Sequence, residues 1–355
     1  MSVVHVVVPE GVDDPARPSG GNVYDQRLCR ELVARGWSVH QHVVTGPWPQ
    51  PAPADRAALG EAVADIPDGA VVIVDGLVAS TAPELLVPEA TRLRLVVLVH
   101  MPLGLGPAGD EEAAAARTRE GAVLSAAAAV VTPSEWTRQR LLERHSLRPS
   151  RVHVAEPGVD PAGVAAGTSD GGGLLCVAAV VPDKGHDLLL AALATLRDRP
   201  WCCTCVGSLD RDPGFVDRLR RQARGDGIGD RVRFTGPRTG QALDTTYADA
   251  DVLVLASRSE TYGMVATEAL ARGLPVIGTA VGGFPEAVGR APDGSGPGLL
   301  VPPDDSEALA DAVACWLGDA ELRRDLRIVA ARRRGTLTGW SATVEKISRV
   351  LTEVR

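Results

Sequence analysis

The sequence predicts an α/β protein with two domains, each built on a parallel β-sheet that is covered by helices on both faces. Three observations support this fold class. The length of 355 residues accommodates two domains of about 150 residues each. Short apolar runs of strand length alternate with helical patterns along the chain, as in parallel sheets. Residues 160–173, rich in Gly, Ala, Ser and Asp without periodicity, predict a linker between the two series.

The apolar runs predict six strands in each half. The first run ends at Pro9 and has neither a basic start nor a small-residue cleavage site, so it predicts a strand and not a signal peptide. The proline-rich residues 47–54 predict a surface loop, and residues 341–354 predict an amphipathic helix. The twelve predicted strands are residues 3–8, 38–44, 71–74, 95–99, 129–132, 152–154, 174–178, 204–207, 232–235, 252–255, 276–278 and 299–301.

Composition excludes several classes of protein. The net charge of -8 and the pI of about 5.5 argue against nucleic acid as the main partner. No run reaches the ~18 apolar residues of a membrane span, and a cytoplasmic protein is expected. Cys202, Cys203 and Cys205 allow a zinc site as an alternative, but they lie in an apolar strand pattern without a nearby histidine. Buried free thiols are the prediction for them.

The most informative segment is residues 259–277. It follows an apolar strand, and its helical pattern begins at Gly263 and ends at Gly273. Glu260 therefore lies in the strand-to-helix loop, and Glu268 lies within the helix. Such loops face the ligand crevice of open α/β sheets, and helix N-termini offer N–H groups to phosphates. The two carboxylates predict a site for sugar and ribose hydroxyls, with two solvated glutamates as the alternative.

The Glu-x7-Glu spacing, followed by Ala-Leu-Ala-Arg-Gly-Leu-Pro-Val, resembles glycosyltransferase family 4, retaining enzymes with the GT-B fold. The resemblance covers nearly the whole chain. It implies two Rossmann-like domains with an interdomain cleft: an acceptor-side domain of residues 1–158, joined by a C-terminal helix of residues 338–355, and a nucleotide-sugar-binding domain of residues 159–337. It implies that Glu268 binds the ribose and that Glu260 contacts the donor sugar near the reacting carbon. It also implies that donor binding involves Tyr262, Gly263, Met264 and Val265.

The first half contributes two glycines and a histidine to the predicted site. Gly20 and Gly21 precede a helical stretch, where glycine lets backbone approach a ligand closely. An ordinary loop is the alternative, but the resemblance implies contact with the donor pyrophosphate. His100 follows a predicted strand and should face the crevice; a histidine capping the strand is the alternative. Similar enzymes place a histidine beside the donor sugar, so we expect His100 to hydrogen-bond a sugar hydroxyl and not to abstract a proton.

Lys184 is one of only two lysines in a chain with 37 basic residues. Its loop resembles the family segment in which a lysine meets the diphosphate. The family usually has Gly-Arg shortly before this lysine, whereas this chain has Ala178 and Ala179. Leaving-group stabilisation is therefore weaker here, or a second cation is supplied by another arginine. The candidates for that cation are Arg258, Arg238 and Arg211.

Three further segments have recognisable sequence patterns. Residues 234–238 resemble the loop beside the nucleobase, which makes Arg238 a candidate for donor binding. The turn that begins at Gly282 and Gly283 resembles the family's Gly-Gly-x-x-Glu turn, and we take it as structural. The arginine-rich residues 135–151 predict a solvated helix, with a membrane-docking face as the alternative.

These features predict a metal-independent, retaining glycosyltransferase that moves a sugar from a UDP-sugar to a hydroxyl of a soluble small molecule. We expect no cofactor besides the nucleoside diphosphate sugar, which is a co-substrate, and no nucleic acid or membrane contact. No DxD pair stands in a suitable loop, so Lys184 and helix N–H groups would stabilise the diphosphate. The catalytic candidates are Glu260, His100 and Lys184. The alternatives are a nucleotide-sugar-binding subunit with little turnover, which the missing arginine favours, and a sugar-nucleotide epimerase; the Glu260–Glu268 motif argues against both.

Overall fold

The computed structural model describes residues 2–16, 18–104 and 110–355. In this part of the chain, twelve strands form two six-stranded sheets in which every paired strand is parallel. The chain divides into two compact units. The first contains Met1–Asp13, Gly21–Gly158 and Trp340–Arg355, and the second contains Asp14–Gly20 and Val159–Gly339. Compared with the boundaries expected from the sequence, residues 14–20 belong to the second unit.

The first unit carries six strands and seven helices among its described residues. Apart from residues 37–44, where Ser38, His40, Gln41 and His42 interrupt the pattern, its strands are largely apolar, as expected for strands that are buried on both faces. Before the linker its elements are β1 (Ser2–Pro9), α1 (Gly20–Ala34), β2 (Trp37–Val44), α2 (Pro53–Ala64), β3 (Val71–Asp75), α3 (Gly76–Ala79), α4 (Pro83–Glu89), β4 (Arg94–Leu98), α5 (Glu111–Ala126), β5 (Ala129–Thr132), α6 (Glu135–Arg144) and β6 (Val152–Val154).

The second unit repeats this alternation of strands and helices. Its elements are β7 (Gly173–Val177), α7 (His186–Ala194), β8 (Cys202–Val206), α8 (Pro213–Gly225), β9 (Val232–Phe234), α9 (Gly240–Ala248), β10 (Val252–Leu255), α10 (Met264–Ala271), β11 (Val276–Thr279), α11 (Phe284–Val288), β12 (Gly298–Val301), α12 (Ser306–Gly318) and α13 (Ala320–Arg334). The chain then returns to the first unit with α14 (Trp340–Glu353).

Each sheet has one point at which the strand order reverses. The first sheet has the order β2-β1-β3-β4-β5-β6, so its reversal lies between β1 and β3. The second sheet has the order β12-β11-β10-β7-β8-β9, and its reversal lies between β7 and β10. At such a switch point the connections leave neighbouring strands in opposite directions and open a crevice at their carboxyl ends, where ligands bind in α/β proteins. The fold thus marks one candidate ligand position in each unit.

Twelve strands were predicted, and all twelve are present with ends shifted by at most two residues. Three local predictions differ from the structure. The proline-rich loop is shorter, because Pro53 begins α2, where proline fits the first helical turn. The glycines Gly20 and Gly21 form the start of α1 and do not precede it. The arginine-rich segment is interrupted after α6 and continues as a separate 3₁₀ turn, Pro149–Arg151. None of the helices formed by the described residues is long and apolar enough to span a membrane.

Candidate active site

Lys184 and Glu260 lie at the switch point of the second sheet, on the loops that follow β7 and β10. Lys184 ends the 3₁₀ turn Pro182–Lys184. Its Nζ donates to Oε1 of Glu260 over 2.6 Å, and the Ser257 hydroxyl donates to the same oxygen over 2.9 Å. Both side chains keep some exposure, 28% for Lys184 and 13% for Glu260. The structure thus brings the predicted diphosphate cation and the predicted sugar-binding carboxylate together as an ion pair.

Two glycines allow the loops around this ion pair to approach their neighbours. Gly282 has a φ of +55°, and a Cβ there would lie 1.8 Å from the carbonyl oxygen of Glu260. The N–H of Gly283 donates to that same carbonyl over 2.9 Å. On the other loop, a Cβ at Gly185 (φ +64°) would lie 1.9 Å from the carbonyl oxygen of Ala256. The Gly282-Gly283 turn, interpreted from the sequence as structural, therefore holds the backbone of Glu260 in place.

Glu268 lies within α10 and is half-buried. Its Oε2 accepts a hydrogen bond from the Tyr247 hydroxyl at 2.8 Å, and the Arg272 guanidinium stacks over the Tyr247 ring at 4.4 Å. Burial raises the pKa of Glu268, although the Tyr247 hydrogen bond and the charge of Arg272 lower it. Burial also raises the pKa of Tyr247 well above its ordinary value, so Tyr247 stays a donor. None of the described residues donates to the other oxygen of Glu268, which can accept from a ligand.

The start of α10 carries the other predicted donor-binding residues of this loop. Gly263 has a φ of +98°, and a Cβ there would lie 2.5 Å from the Phe284 ring. Tyr262 is buried, and Met264 and Val265 are half-buried. Met264 and Val265 open the helix, so their N–H groups have no acceptors within it. Such groups bind phosphate oxygens well, because the helix dipole places partial positive charge at this end.

The three arginines proposed as a second cation differ in how their charges are engaged. Arg258 donates two hydrogen bonds to Asp187, at 2.9 and 2.8 Å, and one to Asp304 at 2.8 Å. The hydrogen bonds to Asp187 raise the pKa of Arg258. Asp187 and Asp304 therefore neutralise the charge of Arg258 within the protein. Arg238 donates to the Thr246 hydroxyl at 2.6 Å and forms no ion pair with a described residue. Arg211 is exposed. Of the three, Arg238 is the half-buried cation whose charge is not compensated.

His100 of the first unit follows β4 and lies beside two buried aspartates. Its Nε2 is 2.8 Å from Oδ1 of Asp25 and 3.7 Å from Oδ2 of Asp75. Asp25 lies on α1, and Asp75 ends β3, where it accepts from the N–H of Leu77 at 2.8 Å. Helix α1 follows β1, and β1 and β3 flank the switch point of the first sheet. Sequence reasoning missed both aspartates; the available signal was a carboxylate at an otherwise apolar position of each element.

The electrostatics of this cluster favour a charged histidine. Burial lowers the pKa of His100, but the charge of Asp25 and its hydrogen bond outweigh burial and raise it. Burial, followed by the charge of Asp25, raises the pKa of Asp75 to about 6. A protonated imidazole donates from both nitrogens. Nε2 of His100 lies 2.8 Å from Asp25, and Nδ1 has no hydrogen-bond partner among the described residues, so a protonated ring can donate from Nδ1 to a ligand.

Gly21 packs directly against His100. A Cβ on Gly21 would lie 3.2 Å from the His100 ring, tighter than ordinary packing. Gly20, the preceding residue and the first of α1, is exposed. Of the two predicted glycines, Gly21 thus lacks a side chain for a structural reason, because the His100 ring occupies the space that a Cβ would need.

Replacing Asp25 with asparagine should make activity more sensitive to high pH. Without the Asp25 charge the pKa of His100 falls, so the ring loses its proton at a lower pH. We expect the alkaline limb of the pH–rate profile to move to lower pH, with turnover at pH 8 reduced about tenfold, or ~1.4 kcal/mol. Exposed Asp68 of the same unit supplies the control, Asp68→Asn. An alkaline limb that stays in place in Asp25→Asn would contradict this role.

The same pair has a predictable effect on stability. Because the pKa of His100 is raised above its ordinary value of 6.5, the pair contributes free energy of unfolding that is fully present below pH 6.5. This contribution is lost as the pH rises through the folded-state pKa. The difference in stability between the parent and Asp25→Asn should therefore be largest in mildly acidic solution and shrink as the pH increases, which chemical denaturation at several pH values measures.

Two groups of described side chains have ligand atoms close enough to share a metal ion. One is Asp25, Asp75 and His100, and the other is Cys176, His186 and Cys205. The second group places His186 close to Cys205, and so corrects the expectation of no nearby histidine for that one of the three cysteines Cys202, Cys203 and Cys205. His186 begins α7, and its Nε2 lies 3.6 Å from Sγ of Cys176.

The cysteines also differ in burial from the prediction. Cys203 and Cys205 are buried free thiols, as expected, but Cys202 is exposed. Successive side chains of a strand point to opposite faces, so Cys202 faces away from the core that buries its two neighbours. The prediction of three buried thiols was therefore wrong for Cys202.

Both halves of the chain match family models. Residues 18–162 match the model described as Glycosyltransferase Family 4, and residues 169–333 match the model described as Glycosyl transferases group 1. A D-inositol 3-phosphate glycosyltransferase of Jonesia denitrificans is 32% identical over 271 residues, which cover 71% of this chain and 63% of the relative. The chain spans 63% and 57% of the length of the first two curated relatives it matches.

Solved structures show the same fold. Sucrose-phosphate synthase from Thermosynechococcus elongatus superposes with a TM-score of 0.80 at 22% identity, over 99% of each chain. Anabaena HepE in complex with UDP-glucose superposes with a TM-score of 0.79 at 18% identity, over 99% of this chain and 100% of that one. The two units therefore have the fold of the GT-B glycosyltransferases. With both of its halves matched by the family models, the chain belongs to glycosyltransferase family 4.

Proposed function

We propose that this protein transfers a sugar from a UDP-sugar to a hydroxyl group of a small-molecule acceptor, with retention of configuration and without a metal ion. The observation that carries the proposal is the Lys184–Glu260 pair at the switch point of the second sheet, next to the open start of α10. A cation, a carboxylate and helix N–H groups are the set that a sugar diphosphate needs. A solved structure of this fold contains UDP-glucose, which supports uridine as the first base to test.

Each residue has a proposed task in the transfer. The open oxygen of Glu268 accepts from the ribose hydroxyls while Tyr247 holds the other oxygen. Lys184 and the first N–H groups of α10 stabilise the charge that develops on the leaving diphosphate. In a preorganised site one such contact is worth about 3–4 kcal/mol. Glu260 contacts the donor sugar near the reacting carbon, and His100 donates to a sugar hydroxyl. We propose attack by the acceptor on the same face that the diphosphate leaves.

The acceptor proposed for the first assays is a phosphorylated polyol. The relatives that match this chain include several named D-inositol 3-phosphate glycosyltransferase. The six free cysteines suit a reducing compartment, since thiols stay reduced in the cytosol. We therefore propose a cytoplasmic enzyme that uses a free, water-soluble acceptor.

A nucleotide-sugar-binding subunit with little turnover is the second candidate function. It is favoured by the charges around the site, because Arg258 is bound by two carboxylates and Lys184 by Glu260. Ala178 and Ala179 add no cation. If Arg238 does not reach the diphosphate, only Lys184 and the helix would stabilise the leaving group. The protein would then bind the sugar nucleotide but turn it over slowly.

A donor-by-acceptor assay separates the two candidates. The purified protein is incubated with UDP-, GDP- and ADP-sugars, with and without inositol phosphates, and products are detected by mass spectrometry. The transferase proposal expects release of nucleoside diphosphate and an acceptor heavier by one sugar residue. The subunit proposal expects calorimetric binding of UDP-sugar without release of UDP. If the protein bound neither UDP nor any sugar nucleotide, both proposals would be overturned.

Activity should be unchanged by chelators. The proposed stabilisation of the diphosphate uses Lys184 and helix N–H groups, and neither requires a divalent ion. We expect transfer rates in excess EDTA to lie within about twofold of those in magnesium or manganese, far below the ~1.4 kcal/mol of a tenfold change. Loss of activity in EDTA that one divalent ion restores would show that the site uses a metal.

A further inference from the structure

One arginine side chain connects the segments that follow β7, β10 and β12 in the second unit. Arg258 lies in the loop after β10, just before Glu260. Its Nη1 and Nη2 donate to the two carboxylate oxygens of Asp187, over 2.9 and 2.8 Å. Asp187 lies in the first turn of α7, which follows β7. Nε of Arg258 donates over 2.8 Å to Oδ1 of Asp304, which lies in the loop after β12.

Arg258 also binds the turn that carries Lys184. Its Nη1 donates to the carbonyl of Pro182 over 2.6 Å, and its main-chain N–H donates to the carbonyl of Asp183 over 2.7 Å. Pro182 and Asp183 are the two residues that precede Lys184 in its 3₁₀ turn. Both carbonyl groups before Lys184 are therefore bound to the loop after β10.

The place of the Lys184 ammonium group depends on how its main chain is held. A lysine side chain is a compact charge on a flexible stem. The Lys184 side chain is 28% exposed, and its tip donates to Glu260 over 2.6 Å. A ligand that competes for the ammonium would weaken that bond, and the turn would then be the fixed end of the side chain. Whatever fixes the turn thus determines where the ammonium can act.

The guanidinium group of Arg258 is engaged by the protein itself. Nη1 donates twice, and Nη2 and Nε each donate once. Asp187 and Asp304 neutralise its charge. A bidentate bond between arginine and a carboxylate fixes geometry as well as adding attraction. This arrangement suits a residue that orients its neighbours and not one that binds a ligand with its own charge.

We propose that Arg258 is a positioning residue for Lys184 in sugar transfer. It fixes the turn before Lys184 against the loop that carries Glu260, so that the ammonium group is already in place when negative charge develops on the leaving diphosphate. The inference rests on the proposed function, in which Lys184 stabilises that charge. Arg258 acts through Lys184 and does not serve as a second cation on the diphosphate.

Hydrogen exchange tests the effect on the turn without any substrate. The N–H groups of Lys184 and Gly185 donate within the turn, each over 3.0 Å, and they exchange when it opens. In Arg258→Gln, a peptide covering residues 182–187 should exchange about tenfold faster or more, while the peptide of β7 exchanges as in the parent and shows that the unit is folded. The control is Arg332→Gln, which breaks the exposed pair of Arg332 with Asp293 in the same unit. Unchanged exchange of residues 182–187 in Arg258→Gln would overturn the proposal.

Turnover of three variants separates positioning from charge. Arg258→Gln and Arg258→Lys should each lower turnover about tenfold or more, because a single ammonium group cannot replace the planar fork that binds three segments at once. Asp187→Asn should lower it too, since the guanidinium loses its bidentate anchor. If Arg258 were instead a cation withheld from the diphosphate, Asp187→Asn would raise turnover and Arg258→Lys would keep the parent's rate. Either of these results would overturn the proposal.

A double-mutant cycle with Lys184→Ala tests whether Arg258 acts through Lys184. Arg258→Gln should lower turnover about tenfold or more in the parent but less than about twofold in Lys184→Ala, because coupled residues are not additive. Equal factors in the two backgrounds would contradict the positioning role. A parent that transfers sugar from no donor would instead refute the proposed function, and hydrogen exchange would still decide whether Arg258 fixes the turn.

Discussion

Replacing Lys184 with alanine should lower the turnover number by about 100-fold or more, the loss expected when one preorganised donor to a developing charge is removed. The physical reason is the shortage of other cations near this loop. Ala178 and Ala179 occupy the positions where the family has Gly-Arg, and Arg258 is held by two carboxylates. Steady-state turnover with a UDP-sugar and a defined acceptor measures the effect.

Controls separate the charge of Lys184 from its place in the fold. Lys346, the other lysine, pairs with Glu156 in the first unit, and Lys346→Ala should leave turnover unchanged. Lys184→Arg keeps the charge but replaces a compact ammonium with a planar fork, so it should restore activity only in part. A loss below about tenfold in Lys184→Ala, ~1.4 kcal/mol, would assign the role to another cation. Arg238 would be the first to test.

Replacing Glu268 with alanine should weaken binding of UDP by about 1.5–3 kcal/mol, the range for a hydrogen bond to a charged group. Its open oxygen is the proposed acceptor for the ribose hydroxyls, so UDP and UDP-sugar should lose affinity alike in calorimetry. Glu260→Ala is the matched comparison, since it removes a carboxylate proposed to act on the sugar. That variant should lose turnover while its affinity for UDP stays near the parent's.

The contribution of Tyr247 can be measured separately. Tyr247→Phe removes the hydroxyl that holds Oε2 of Glu268 but keeps the ring under Arg272. We expect a smaller loss of UDP affinity than in Glu268→Ala, because the carboxylate remains but is less well oriented. Unchanged UDP binding in both Glu268→Ala and Glu260→Ala would show that neither carboxylate holds the ribose.

Local pattern was enough to predict the strands and the loops that carry the site. A buried parallel strand is a short apolar run, and the residue after it lies at the carboxyl edge of the sheet. Lys184, Glu260 and His100 could be placed in this way. Which strands become neighbours is a different matter. The pairing of β7 with β10 joins segments far apart in sequence, and no periodicity reports it.

The partners of the site residues could not be predicted for the same reason. The bond between Lys184 and Glu260 spans 76 positions, and that between His100 and Asp25 spans 75. Tyr247, on the helix before β10, donates to Glu268 across 21 positions. The arginine that looked available in the sequence, Arg258, is engaged because folding brings Asp187 to it. Sequence spacing identifies the charged groups, and tertiary packing decides which of them remain available.

With Lys184 proposed to bind the diphosphate and Glu260 the sugar, their ion pair would make recognition of the sugar conditional on recognition of the diphosphate. The ammonium group of Lys184 neutralises the carboxylate of Glu260, so a free monosaccharide would meet an acceptor that is partly occupied. A diphosphate would compete for that ammonium group and release the carboxylate toward the sugar. The two halves of the donor are then coupled thermodynamically, since each improves the site for the other. On these proposed roles, this one contact would select an activated sugar over the same sugar without its nucleotide.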